Sequence, residues 1–181
     1  CEATRYRLIL HLVDESARTI FRALSLYWFR YFGPPRVIVA DQGAIGKSGD
    51  IGVEFDRYSI VRRLKGSDTT RAGGRHTGTG LAETHIAISK LTMLKVRKDV
   101  TDEGLTDITD EEIGSESGMA ANMTLSYGGY TPCNAVLGSN PRPYYEPEDT
   151  TCAAINGVRD TNVGVFEQTL RLRLIASSAI G

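Results

Sequence analysis

Asp41 closes an apolar run, Val37-Ile38-Val39-Ala40, while Glu83 and Lys90 lie within residues 81–96 (LAETHIAISKLTMLKV). In open α/β sheets ligands gather at the carboxyl ends of strands, so an aspartate there is placed to hold one. Glu83, Ala87 and Lys90 follow i, i+4, i+7 spacing and share one helical face. Two carboxylates offer hard oxygen ligands, which select Mg2+ or Mn2+ over zinc, and a lysine on the same face suits a phosphate. Each residue also has a plain structural reading. Asp41 serves equally as a turn-former after a strand, and Glu83 as a carboxylate favoured by a helix N-terminus.

Other chemistry-bearing groups fit less well. Residues 43–48 (GAIGKS) follow a strand and end in Gly-Lys-Ser, but a phosphate-binding loop needs glycine where this chain has Asp41. His11, His76 and His85 lack zinc-site spacing, and His11, inside an apolar run, reads as a core or sheet-face residue. Cys1, Cys133 and Cys152 are odd in number and contain no CxxC pair, which points to a reducing compartment and ordinary small hydrophobes.

The elements that must carry these groups alternate strand and helix. Residues 6–13 (YRLILHLV) read as a buried strand, 14–17 as a turn, and 19–24 as a second strand or an early helix. Residues 25–32 (SLYWFRYF) read as an aromatic helix stopped by Gly33-Pro34-Pro35, with strands at 36–40 and 59–64. A loop rich in glycine, threonine and arginine spans 65–80, ahead of the helix that carries Glu83. A second helix runs from about Thr109 to Thr124, where Thr109 and Glu112 have capping-box spacing. A turn-rich tract (127–147) and a final helix (163–180) follow. This pattern predicts an α/β fold with helices covering a mixed sheet. No apolar stretch approaches the ~20 residues a membrane helix needs.

Charge is uneven. The net charge is −1, yet residues 57–98 hold ten basic side chains against two acidic ones, and residues 99–149 hold eleven acidic against one basic. A basic middle beside an acidic flank is what a phosphate-binding surface next to a solvated helical region looks like, although two solvated faces of opposite sign give the same count.

Several segments resemble, in the right order, the catalytic core of retroelement integrases, copia-like and retroviral-type, of the ribonuclease H-like superfamily. Residues 28–35 (WFRYFGPP) and 37–43 (VIVADQG) are similar to the helix, turn and strand that deliver the family's second catalytic aspartate. Residues 79–85 (TGLAETH) followed by Lys90 resemble the segment that opens a long helix with the catalytic glutamate. Asn122-Met123-Thr124 and residues 129–142 (GYTPCNAVLGSNPR) look like the tract after the catalytic helices. The resemblance covers about residues 5–145 and implies a core-like domain over 1–145, with 146–181 as a C-terminal extension bearing a helix.

It further implies Asp41 and Glu83 as catalytic carboxylates and metal ligands for Mg2+ or Mn2+. Arg71, Arg75, Lys90 and Lys95 become DNA-binding residues, DNA the partner, and self-association the working state. Neither a membrane role nor a secretory one is expected; the location implied is intracellular, with the nucleus for the integration step. The departures matter too. The first catalytic aspartate falls at or before Cys1, so the N-terminal strand and part of the early region are missing. Only 26 residues separate Asp14 from Asp41. Asp14 takes a position that is structural in the family. The alternative expectation is therefore a catalytically inactive remnant that only binds nucleic acid.

Overall fold

The computed structural model describes residues 1–40, 45, 49–64, 77–141 and 164–180. Asp41, the 65–76 part of the expected loop with Arg71 and Arg75, most of 43–48, and residues 142–163 lie outside this set. Helices and a parallel two-stranded sheet make the chain α/β in the broad sense. It packs as two units, Leu12–Glu83 and Cys1–His11 together with Thr84–Gly181.

In the Leu12–Glu83 unit, Ser16 starts α1 (Ala17–Leu24) by accepting a hydrogen bond from the Thr19 N–H. Residues 19–24 are thus helical. The path continues through one wide π turn (Ser25–Phe29) into α2 (Arg30–Phe32), and ends at Gly33, whose φ of +74° favours glycine. β1 (Val37–Ala40) and β2 (Val61–Leu64) pair in parallel, Val37 opposite Val61 and Ala40 opposite Leu64. A parallel pair requires a crossover, and α3 (Gly49–Arg57) lies within it. Ile51, Phe55 and Ile60 are buried, and Ile20, Phe21, Phe29 and Ile38 pack against them. Phe21 meets Phe29 edge-on at 6.0 Å. Burial alternates along both strands, so Ile38 faces this core while Val37, Val39 and Val61 stay exposed.

In the other unit, α4 (Thr77–Asp102, a member from Thr84 on), α5 (Asp110–Thr124) and α7 (Gly164–Ser178) share a core of Val96, Val100, Ile113, Ala120, Leu172, Ile175 and Ala176. The expected capping box opens α5. The Thr109 hydroxyl accepts from the Glu112 N–H, and the Glu112 carboxylate accepts from the Thr109 N–H at 2.7 Å. A tight turn joins α5 to α6 (Pro132–Leu137). Gly128 and Gly129 have φ of +62° and +88°, as a type I′ turn demands, and Tyr127 and Tyr130 pair across it. Thr131 caps α6, Pro132 occupies its first turn, and Gly138 ends it in the left-handed region.

The strand expected at 6–13 does not form. The segment is irregular and lies along α5, with Ile9 against Gly114 and Gly118. A Cβ at Gly114 would sit 3.0 Å from the Ile9 side chain, and one at Gly118 3.4 Å from it. The small residues leave a groove in the helix face, and the chain fills it instead of a sheet position. His11 is accordingly exposed rather than in a core or on a sheet face.

Candidate functional site

Glu83 stands in the first turns of α4 with its side chain exposed, and among the described residues nothing pairs with its carboxylate. Lys90 is exposed on the same helix. Lys95 is exposed too, and its Nζ donates to the Ala179 carbonyl at 3.2 Å. Asp41 lies just beyond the last residue of β1 and outside the described residues, so its pairing with Glu83 is not described; the same holds for Arg71 and Arg75. Among the described residues no three His, Cys, Asp or Glu side chains converge as metal ligands. An exposed, unengaged carboxylate in Glu83 fits a hard divalent cation by donor chemistry, with Asp41 as the second ligand the sequence offers.

The basic stretch is partly committed elsewhere. Arg57 pairs with Glu54 at 2.9 Å, Arg62 donates to the Ile45 carbonyl at 3.0 Å, and Arg97 pairs with Asp110. The two ion pairs are exposed, and each contributes about 1 kcal/mol or less. Asp14 accepts from the Ser16 N–H at 2.8 Å and so shapes the turn before α1. The Ser16 side chain, and after it the Ser16 N–H and the Thr19 side chain, hold its carboxyl below the usual aspartate range.

A second constellation is not legible in the sequence. Asn122 is buried, 1 % exposed, and its amide clasps the backbone of Arg7: Oδ1 accepts from the Arg7 N–H at 3.0 Å and Nδ2 donates to the Arg7 carbonyl at 2.8 Å. The clasp aims the Arg7 guanidinium at α4 and the tyrosine turn. It donates to Ser89 Oγ at 3.3 Å, to Tyr127 Oη at 3.2 Å, and to His85 Nδ1 at 3.0 Å. A guanidinium has no acceptor, so Nδ1 accepts and the neutral ring carries its proton on Nε2. His85 and Ser89 are spaced i, i+4, which puts both on one side of the helix. Burial, then the neighbouring Arg7 and Arg5 charges, push His85 below its ordinary value, keeping the ring neutral near pH 7. The one local signal was an arginine at position 7 interrupting an apolar run; its partners lie 78 and 120 residues away.

No protein-family model matches this chain, and no curated protein matches it significantly. Among the described residues no helix is long and apolar enough to cross a membrane.

Proposed function

We propose that this chain is the catalytic-core segment of a retroelement integrase, ribonuclease H-like in fold, that binds DNA and belongs to a class performing metal-dependent polynucleotidyl transfer. The observation that carries the reading is the setting of the two carboxylates. β1 ends one residue before Asp41, and α4 presents Glu83 exposed and without a described partner. The order of the surrounding segments, from residues 28–35 to residues 129–142, agrees with it. Asp41 and Glu83 would hold Mg2+ or Mn2+, whose chemistry is to activate the attacking oxygen and stabilise the leaving one. Lys90 and Lys95, with Arg71 and Arg75, would contact phosphates of element ends and target DNA, and the chain would self-associate in doing so.

A two-ion reaction needs more carboxylates than these two, and Asp14 is engaged in the turn at Ser16. That favours, for residues 1–181 by themselves, DNA binding without strand transfer, which is the binding-only alternative. Binding should be largely sequence-independent and fall steeply between low and physiological salt. Fluorescence anisotropy of a labelled duplex across a salt series measures it, with Lys90→Ala expected to weaken binding equally on unrelated sequences. Nicking of a supercoiled plasmid in Mg2+ or Mn2+ separates the readings. Nicking abolished by Glu83→Gln establishes the transferase site, whereas binding without nicking supports the alternative. No binding even at low salt would sink both.

A further inference from the structure

We infer that the outer face of the helical path Ala17–Phe32 docks a single-stranded nucleic acid, with Arg18, Arg22 and Arg30 on its phosphates and Tyr27 and Tyr31 under its bases. The inference does not rest on the transferase reading. It uses neither Asp41 nor Glu83, and none of the residues given there to the phosphates of element ends and target DNA.

Charge sets the chemistry of the partner. Residues 17–40 hold four arginines, Arg18, Arg22, Arg30 and Arg36, and no acidic side chain. The first three are exposed on the helical path. Among the described residues no carboxylate pairs with them, whereas Arg57, Arg97 and Arg173 each have one. Unpaired guanidinium groups on one surface favour a polyanion.

Geometry turns the arginines into a row. Arg18, Arg22, Leu26 and Arg30 recur every fourth residue, and all are exposed. In a regular α-helix each such step overshoots a turn by about 40°, so a long row drifts round the axis. The π turn over Ser25–Phe29, closed by the Arg30 N–H donating to the Ser25 carbonyl, holds more residues than an α turn and takes back part of this drift. At about 1.5 Å per residue, Arg18 and Arg30 lie about 18 Å apart along the path. That matches about five nucleotides of a stacked strand at roughly 3.4 Å each.

The tyrosines favour a single strand over a duplex. Tyr27 and Tyr31, also one helical step apart, are 47 % and 70 % exposed. Ile20, Phe21, Leu24 and Phe29 of the same path pack against the core, so both rings lie on the side turned away from it. Exposed flat rings beside arginines are stacking platforms, and an unpaired strand leaves its base faces open to them. An anionic lipid surface fits less well. It calls for long apolar side chains, most of which this path has committed to the core, while tyrosine hydroxyls stay wet. A second copy related by a twofold would set one arginine row against the other.

Binding of a short labelled oligothymidine to the 181-residue chain would be followed by fluorescence anisotropy across a salt series, with the Tyr31 ring protons as a local probe. The oligomer should bind at low salt and shift the Tyr31 ring signals as a base stacks there. Tyr31→Ala should weaken binding about tenfold or more, and Tyr31→Phe, which keeps the ring, should bind as the parent chain does. Arg22→Gln and Arg30→Gln should each weaken it and flatten the slope of log affinity against log salt by about 0.7. A duplex of the same length should bind Tyr31→Ala as well as it binds the parent chain. Oligothymidine affinity indifferent to Tyr31→Ala, or to both arginine substitutions, overturns the surface. So does a Tyr31 ring that stays unmoved when the strand is bound, or no binding at low salt. Phosphatidylserine vesicles that displace the oligomer and lose their hold in the same variants would assign the face to a membrane and overturn it as well.

Discussion

Asn122 shows how one side chain can replace a neighbouring strand. Its amide supplies an acceptor and a donor to the Arg7 backbone, the same pair of bonds a sheet would provide. Replacement by alanine leaves an N–H and a carbonyl without partners in a half-buried segment. The loss expected is about 1–3 kcal/mol, the upper end applying if the segment stays in place and the lower if it peels into water. Asn122→Asp keeps the acceptor but buries a carboxylate with one oxygen against the Arg7 carbonyl, so its effect should be at least as large. Amide exchange at Arg7 reads this directly: protection in the parent chain, and exchange at least tenfold faster in Asn122→Ala. Unchanged exchange would show that the clasp does not hold the segment.

At the scale of elements, α5 combines a well-made start with a face cut back for the N-terminal segment. Thr109 donates its backbone N–H to the Glu112 carboxylate, the largest cause holding that group below the ordinary glutamate value; the Thr109 side chain adds to it. With the folded value depressed, this contribution is complete above the unfolded glutamate value and disappears as pH falls through the folded one. Thermal melts between neutral pH and pH 3 should therefore show a loss of stability in acid that Glu112→Gln makes shallower. Thr109→Ala should cost about 1 kcal/mol at neutral pH. On the cut-back face, Gly118→Val places two methyl groups where Ile9 lies and should expel residues 6–10 from the groove. Trypsin would then cleave after Arg5 and Arg7 far faster than in the parent chain. Resistance equal to the parent's would mean the groove is not what holds the segment.

How much could be read beforehand follows the range of the forces involved. The Thr109–Glu112 box, the strand before Asp41, the strand near Val61 and the helix carrying Glu83 are written in neighbouring residues, and all four are present. The Thr131-Pro132 start and Gly138 stop of α6 are equally local, but six residues are too few to show a helical period, and residues 127–147 read as turn-rich. α3 is not legible locally, because two glycines in GDIGVEFDR speak against a helix; burial of Ile51 and Phe55 overrides that propensity. The 6–13 run has the apolar content of a strand, and only Gly114 and Gly118, more than a hundred residues on, reveal why it is not one. Of the candidate sites, the exposure of Glu83 and Lys90 agrees with their spacing. The Arg7 constellation was illegible, since it exists only once α4, the tyrosine turn and the N-terminal segment meet.

At the scale of the whole molecule, each packing unit has a core of its own. Leu172 is 1 % exposed among Val96, Val100, Ile113 and Ile175, and Phe55 is 1 % exposed among Ile51, Ile60 and the aromatic residues of the α1 region. Among the described residues no buried one belongs to both clusters. Truncating either side chain removes apolar contacts and leaves a cavity, at about 2–5 kcal/mol for leucine and 3–5 kcal/mol for phenylalanine. Because the residues that lose contacts differ, the two substitutions should loosen different parts of the chain. Native-state hydrogen exchange would register Leu172→Ala in amides of α5 and α7, and Phe55→Ala in amides of α1, β1 and β2. Equal loosening of both sets of amides by either substitution would show one cooperative core in place of two.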